Sequence, residues 1–437
     1  MSQPATRARA AHARRHALAW TTGVAVTLAL ALSLGSCSSL PQAPAAAPAA
    51  SAPGAASAPR APASAPAAPA SAASGATAAA PRAARATSLP LRPSSFARLP
   101  GWASDDFQGL WSAWRRDCQA HVALLAQACA ASADIPAHDT DAQRAFFEQW
   151  FRPWRLLAAD GADQGLVTGY FEPIYAGSTT RGWPYVVPLW GLPRDLVALP
   201  ATASDPQQVT RGRVVDEADG RTRIVPFWSR AQIRQDAQAQ RLLSRHVVAW
   251  LDNPVDALLL GVQGSGLVRL PDGALLRVSF AGDNGWPYRS IGRWLLDHGD
   301  LRGTVTMQSI RAWAHMHPNG VQQMLDADPR VVFFRASPLD NPQRGPLGAL
   351  GVPLTAMRSV AVDKRLLDLG MPLWLSTSVG GRPLQRLVFA QDVGGAIRGA
   401  LRADLFFGTG EAAGDAAGRM QSPGSMWLLL PRRAAAR

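Results

Sequence analysis

The sequence predicts a mainly β fold with flanking helices, organised around a small closed β-barrel. Three observations lead there. Beyond residue 330 the chain runs through VVFFR, VPLT, SVAV, PLWLST, QRLVFAQDV, RADLFFG and MWLLLP, short apolar runs separated by Gly and Pro. That density of strands and turns suits closure into a barrel, which leaves no exposed edges. From Gly165 to about 290 the texture is similar, with LVTGYFEPIYAGS and YVVPLW meeting at turns. Before Gly165, by contrast, the apolar residues fall at helical spacing.

In chain order, residues 104–157 read as helical. Phe107, Leu110, Trp111 and Trp114, then Leu124 and Leu125, then Phe146, Phe147, Trp150 and Phe151 lie near a 3.6-residue period, divided at Pro136. The stretch DALLLGVQGSGLVRLPDGALLRVSFAGDNGWPY reads as several strands, with Pro271-Asp272-Gly273 as a hairpin turn. Helical patterning returns at 229–246, 289–298 and 306–327, and no fixed-period repeat is present.

The N-terminal region is different in kind. Arg7, Arg9, Arg14 and Arg15 precede an apolar stretch from about Ala17 to Leu34, and Leu34-Gly35-Ser36-Cys37 follows. A basic segment, an apolar segment and small residues before a cleavage point form a secretory signal. The cysteine directly after them makes it a bacterial lipoprotein signal with Cys37 as the lipidation site. Residue 38 is Ser rather than Asp, so an outer-membrane lipoprotein on the periplasmic face is expected. Residues 38–95 are almost wholly Ala, Pro and Ser with a few Arg, a disordered linker with no apolar face to bury. Acyl chains on Cys37 would bind lipid at about 0.8 kcal/mol per buried CH₂.

This organisation explains the charge. The 437 residues carry 44 Lys+Arg against 31 Asp+Glu, a net +13. Residues 1–95 hold eight arginines and no Asp, Glu or Lys, and removing those eight charges leaves +5 for the rest. No basic stripe or recognised module appears in that body, so nucleic acid is not an expected partner. Cys118 and Cys129 are the remaining cysteines. An unbroken helix would hold them about 16 Å apart, so they are either bridged across a helix break or a pair of buried free thiols.

Few residue patterns carry chemistry. His315 and His317 have no Cys or carboxylate at ligand spacing and read as helix-end residues, so neither metal nor other cofactor is expected. Gly264-Ser265-Gly266 lacks the phosphate-loop pattern, and Gln263 before it rules out a nucleophile elbow. Trp183, Trp286 and Trp313 offer flat faces for sugar rings, although core packing is the commoner role. Asp392 and Asp404 are more telling. Both lie at strand edges among glycines that permit close backbone approach, and Asp404 precedes the apolar run Leu405-Phe406-Phe407. Burial there would raise its pKa towards that of a general acid.

The segments GYFEPIYAGS (169–178), DNPVDALLLGVQGSGLVRLPDG (252–273), FAGDNGWPYRSIG (280–292), MQSIRAW (307–313), VVFFR (331–335), GALGVPLTAMRSVAVDK (348–364) and the 390–410 stretch together resemble the membrane-bound lytic murein transglycosylase A family, with its C-terminal 3D domain. The resemblance implies a double-psi β-barrel carrying a second β domain, with a glycan groove between them. Residues 96–180 would begin the barrel, 181–305 form the inserted domain, and 306–431 complete the barrel. It implies a monomer that acts on peptidoglycan strands, cleaving the MurNAc-β-1,4-GlcNAc bond without water to leave 1,6-anhydro ends. By position Asp404 is the catalytic acid/base and Asp392 its neighbour, while Glu172, Gln263, Ser265, Asp363, Gly394 and Gly395 are expected at the saccharide. The other possibilities are a hydrolytic glycosidase on the same barrel and a non-catalytic peptidoglycan-binding lipoprotein.

Overall fold

The computed structural model describes residues 89–199, 209–339 and 341–432. Cys37, the signal segment and residues 38–88 of the expected linker lie outside them.

The strands in chain order are β1 (Leu91–Pro93), β2 (Phe151–Leu156), β3 (Gly165–Glu172), β4 (Ile174–Ser178), β5 (Val187–Trp190), β6 (Val197–Ala198), β7 (Arg211–Asp216), β8 (Thr222–Pro226), β9 (Val247–Leu251), β10 (Ser265–Arg269), β11 (Leu275–Asp283), β12 (Val332–Pro338), β13 (Ser359–Ala361), β14 (Pro372–Val379), β15 (Arg382–Asp392), β16 (Ala403–Thr409) and β17 (Gln421–Pro431). Six of them close a barrel in the order β17-β14-β15-β13-β16-β3, with β3 returning to pair with β17. The pairs β13–β15 and β16–β3 are parallel and the rest antiparallel. This is the closed barrel the strand density predicts.

Between β3 and β13 the chain builds a second sheet, ordered β12-β11-β10-β4-β9-β5. A bridge between Gly191 and Phe334 brings its two edges together. The small sheet β6-β7-β8 is attached to it through the Thr210 N–H bond to the Gly285 carbonyl. The inserted part is therefore wider than 181–305. Strand β4 at 174–178 pairs with β10 and β9, and β12 at 332–338 pairs with β11, so both ends satisfy their backbone inside the insert.

Three further expectations need correction. Leu91–Pro93, placed in the linker by composition, is a strand on β2, and Leu89 and Leu91 pack on the barrel core. Phe151–Leu156 is a strand rather than the end of a helix, because it fills the edge of β17. Pro254–Gln263 is a helix rather than a strand. The Asn253 side chain accepts from the Val255 N–H, Pro254 occupies the first turn, and Gly264 ends the helix at φ 79°.

The barrel core is aromatic, with Trp114, Trp374, Phe147, Phe151 and Phe389 fully enclosed. Helices Leu110–Gln119 and Thr140–Trp150 pack on it, and Trp114 meets Phe147 and Phe151 edge-on. A buried ion pair ties this helical segment down. Both terminal nitrogens of Arg358 reach the Asp105 carboxylate at 2.7 Å, while its Nε donates to the Gln108 carbonyl. Cys118 and Cys129 are bonded to each other with Cα atoms 5.4 Å apart, the chain turning at His121 (φ 53°) between them. Of the two readings left open, the bridge holds. His317 caps the helix Met307–Met316 and stacks on Trp313, so both histidines stand at a helix end.

Candidate active site

The two aspartates meet because of the barrel's register. Strand β13 lies between β15 and β16, and its residue Ala361 is the partner of Asp392 on one side and of Asp404 on the other. On the far side of β16, Asp404 stands in register with Thr168 of β3. Alternation along β3 then sets Thr168, Tyr170 and Glu172 on one face. Each of the three takes up a carboxylate or is one.

Thr168 donates to Asp404 Oδ1 at 2.6 Å, and its own oxygen accepts from Arg402 Nη2 at 2.9 Å. Tyr170 donates to Asp392 Oδ2 at 2.8 Å. Asp392 Oδ1 accepts from the backbone N–H groups of Val393 and Ala349, at 2.9 and 3.0 Å. Both oxygens of Asp392 are thus engaged by internal donors, whereas Asp404 Oδ2 has no hydrogen-bond donor among the described residues. Ala361 and Tyr170, which adjoin the pair, belong to an apolar cluster with Leu354, Ile397 and Phe406. The electrostatics follow from this setting. Burial pushes the Asp404 carboxyl up to about 6, the negative Asp392 adds to the rise, and the Thr168 hydroxyl and Arg402 oppose it. Burial also raises Asp392 and carries the Tyr170 phenol well above its ordinary value.

The remaining expected residues are placed as follows. Glu172 has no exposed surface: Arg277 of β11 binds it with Nε at 2.8 Å and Nη2 at 3.0 Å, and Thr409 donates to it at 2.7 Å. It clasps barrel to insert and offers a saccharide nothing in this arrangement. Asp363 is likewise enclosed, accepting from Arg365 Nη2 at 2.6 Å and from the Gly399 N–H at 2.9 Å. These donors hold its carboxylate far below the ordinary range, the Arg365 side chain foremost. Its position steadies the loop that joins Asp392 to Asp404. Gln263 accepts from the Phe171 N–H at 2.9 Å, a second barrel–insert tie, and Ser265 is buried at the start of β10. Gly394 and Gly395 sit at the loop's turn. A Cβ on Gly395 would come within 3.0 Å of Arg330 Nη1 and 3.8 Å of Tyr288, so this glycine lets the loop lean on the insert.

A cleft of about 460 Å³ lies between the insert helices and Gln421 of β17. Tyr288, Ser290, Arg293, Thr304 and Thr306 line it from the insert, and Gln421, the register partner of Thr168, lines it from the barrel. Of the three tryptophans singled out for stacking, Trp313 is buried, Trp286 is half-buried beside Trp228, and Trp183 is 90% exposed. Sequence reasoning passed over Thr168, Tyr170 and Arg402. The signal for the first two was the two-residue alternation of TGYFE, which becomes informative once Asp404 is known to lie alongside.

Two family models match the chain: the MltA specific insert domain over residues 166–335 and the 3D domain over residues 358–430. The chain is 30% identical over 286 residues to a membrane-bound lytic murein transglycosylase A of Escherichia coli, spanning 63% of this chain and 68% of that protein. Among solved structures, the Neisseria gonorrhoeae MltA aligns with TM-score 0.67 at 31% identity, covering 79% of this chain and 93% of the other. The Escherichia coli MltA with bound chitohexaose aligns with TM-score 0.58 at 25% identity, covering 78% and 92%. This chain belongs to the membrane-bound lytic murein transglycosylase A family.

Proposed function

We propose that this chain cleaves the β-1,4 bond between N-acetylmuramic acid and N-acetylglucosamine in peptidoglycan by an intramolecular route, with Asp404 as the only acid/base. The observation that carries the reading is the contrast between the two carboxyls. Asp404 has a raised pKa and one oxygen free of donors among the described residues, while Asp392 has both oxygens engaged. An ordinary glycosidase needs two working carboxylates, one as acid and one as nucleophile or base. With one, the attacking group is best supplied by the substrate. The C6 hydroxyl of the muramic residue fits, since it reaches C1 of its own ring and gains from proximity.

Protonated Asp404 donates to the glycosidic oxygen as the bond to C1 breaks and positive charge develops on the ring. The resulting carboxylate takes the C6 hydroxyl proton as that oxygen bonds to C1, which closes the 1,6-anhydro ring and restores the acid. Asp392 holds the Ala349 and Val393 backbone in place, and its charge adds to the proton affinity of Asp404. The chitohexaose held by the Escherichia coli relative supports a glycan strand as substrate. Lipidation at Cys37 and the Ala/Pro/Ser tether would hold the body at the periplasmic face of the outer membrane, within reach of the wall.

Digestion of purified murein, with the products weighed by mass spectrometry, tests this. Anhydro products, one water lighter than reducing ends, are expected, and Asp404→Asn should release none of them. Reducing ends would select hydrolysis, and an Asp404→Asn enzyme at full rate would remove Asp404 from the chemistry.

A further inference from the structure

Thr168 lies directly beside the Asp404 carboxyl. Its hydroxyl has two partners among the described residues: Arg402 Nη2 at 2.9 Å and Asp404 Oδ1 at 2.6 Å. Arg402 has only N–H groups to offer, so towards it the hydroxyl oxygen must accept. A threonine hydroxyl has one proton, and with Arg402 already donating, that proton is left for Asp404 Oδ1. The direction of the bond is therefore set by the guanidinium. Arg402 is itself anchored by donating through Nη1 to the Leu166 and Ala403 carbonyls, on the two strands that carry Thr168 and Asp404.

We propose that Thr168 is the positioning residue of the acid/base: it commits Asp404 Oδ1 to accepting a hydrogen bond and thereby assigns the transferred proton to Oδ2. The inference rests on Asp404 being the acid/base. Its chemical content is that the two oxygens of one carboxyl are made unequal before substrate arrives. An acid with a free rotor presents its proton from either oxygen and in either direction, and only part of that population is productive. Here the barrel register supplies the orientation, because Thr168 and Asp404 are Cα partners across β3 and β16. A second consequence concerns proton affinity. A donor to Oδ1 favours the carboxylate, offsetting part of what burial and Asp392 do in the other direction. The groups acting on Asp404 are Thr168 and Arg402, which lower its pKa, and Asp392, which raises it; Tyr170 bonds to Asp392 and is itself affected by the Asp404 charge.

The test is the pH profile of kcat for anhydromuropeptide release from purified murein. The general acid must be protonated, so activity falls as pH rises through its pKa. Thr168→Val keeps the shape and removes the hydroxyl. It should lower kcat by about tenfold or more, the low end of what a positioned proton donor contributes, leave KM nearly unchanged, and move the alkaline limb to higher pH. Thr168→Ser should restore both rate and limb. Should the valine variant lose its thermal unfolding transition, Thr168→Ala is measured instead, and its limb should also move to higher pH. An unmoved or downward-moving limb in the folded variant, or a serine variant no better than valine, overturns the proposal. Asp404→Asn run alongside separates the two levels. An active Asp404→Asn enzyme refutes the acid/base reading itself, whereas an inactive one beside an unmoved Thr168→Val limb refutes only the role of Thr168.

Discussion

Asp392 and Asp404, twelve positions apart in the chain, flank the same residue, Ala361, from opposite sides of one short strand. That placement gives them unequal surroundings. Asp392 is bound by a phenol and two backbone amides, and Asp404 by one hydroxyl. In the proposed mechanism this makes them a support and a reagent rather than two equivalent acids.

The pH dependence should reflect this difference. With Asp404 near 6, kcat is expected to fall as pH rises through that value. Asp392→Asn removes a negative charge that favours the protonated form, so the limb should move to lower pH, opposite to the shift expected for Thr168→Val. Its rate at low pH should fall less than that of Asp404→Asn. A common direction for the two shifts would show that they act through folding rather than charge.

Glu172 predicts a stability effect. Removing it leaves Arg277 and the Thr409 hydroxyl without their carboxylate at the barrel–insert seam. Loss of one partner from a buried pair costs about 3–5 kcal/mol. Glu172→Ala should show that loss in denaturant unfolding, whereas Glu172→Met combined with Arg277→Met should recover much of it. A single variant as stable as wild type would mean that the pair is not buried in solution.

Asp363 should act on stability and on the loop between Asp392 and Asp404 together. Its carboxylate binds Arg365 and the Gly399 N–H, so its pKa in the folded chain lies below the unfolded value. The stability it contributes is present above the ordinary carboxylate range and is lost as pH falls towards its folded pKa. Asp363→Ala should cost about 1.5–3 kcal/mol at neutral pH, the range for hydrogen bonds to a charged group, and the deficit should shrink in acid. A deficit that is constant across pH would exclude the carboxylate as its source.

The Cys118–Cys129 bond joins residues eleven positions apart in the chain. Chain entropy for a loop of that size gives about 3 kcal/mol, and strain can reduce it. Replacing both cysteines by serine should lower the unfolding midpoint, and adding a reductant should lower that of the wild type but not of the variant.

By itself the sequence determined which local elements form and which residues are chemically promising. Helical spacing around Trp111 and Trp114, the Pro271-Asp272-Gly273 turn and the dense short strands after 330 were legible because each depends on near neighbours. Asp404 stood out for the same reason, through the glycines and the apolar run beside it. The tertiary structure decided everything that depends on strand register. Glu172 and Asp363 were expected at the saccharide through the family resemblance of the segments that hold them, and long-range partners, Arg277 from the insert and Gly399 from the loop, engage their carboxylates. The alternation that puts Thr168 and Tyr170 on one face was local, but what that face meets was not. A hydroxyl becomes part of an acid only when a strand more than two hundred residues away is laid beside it, and local spacing does not encode that pairing.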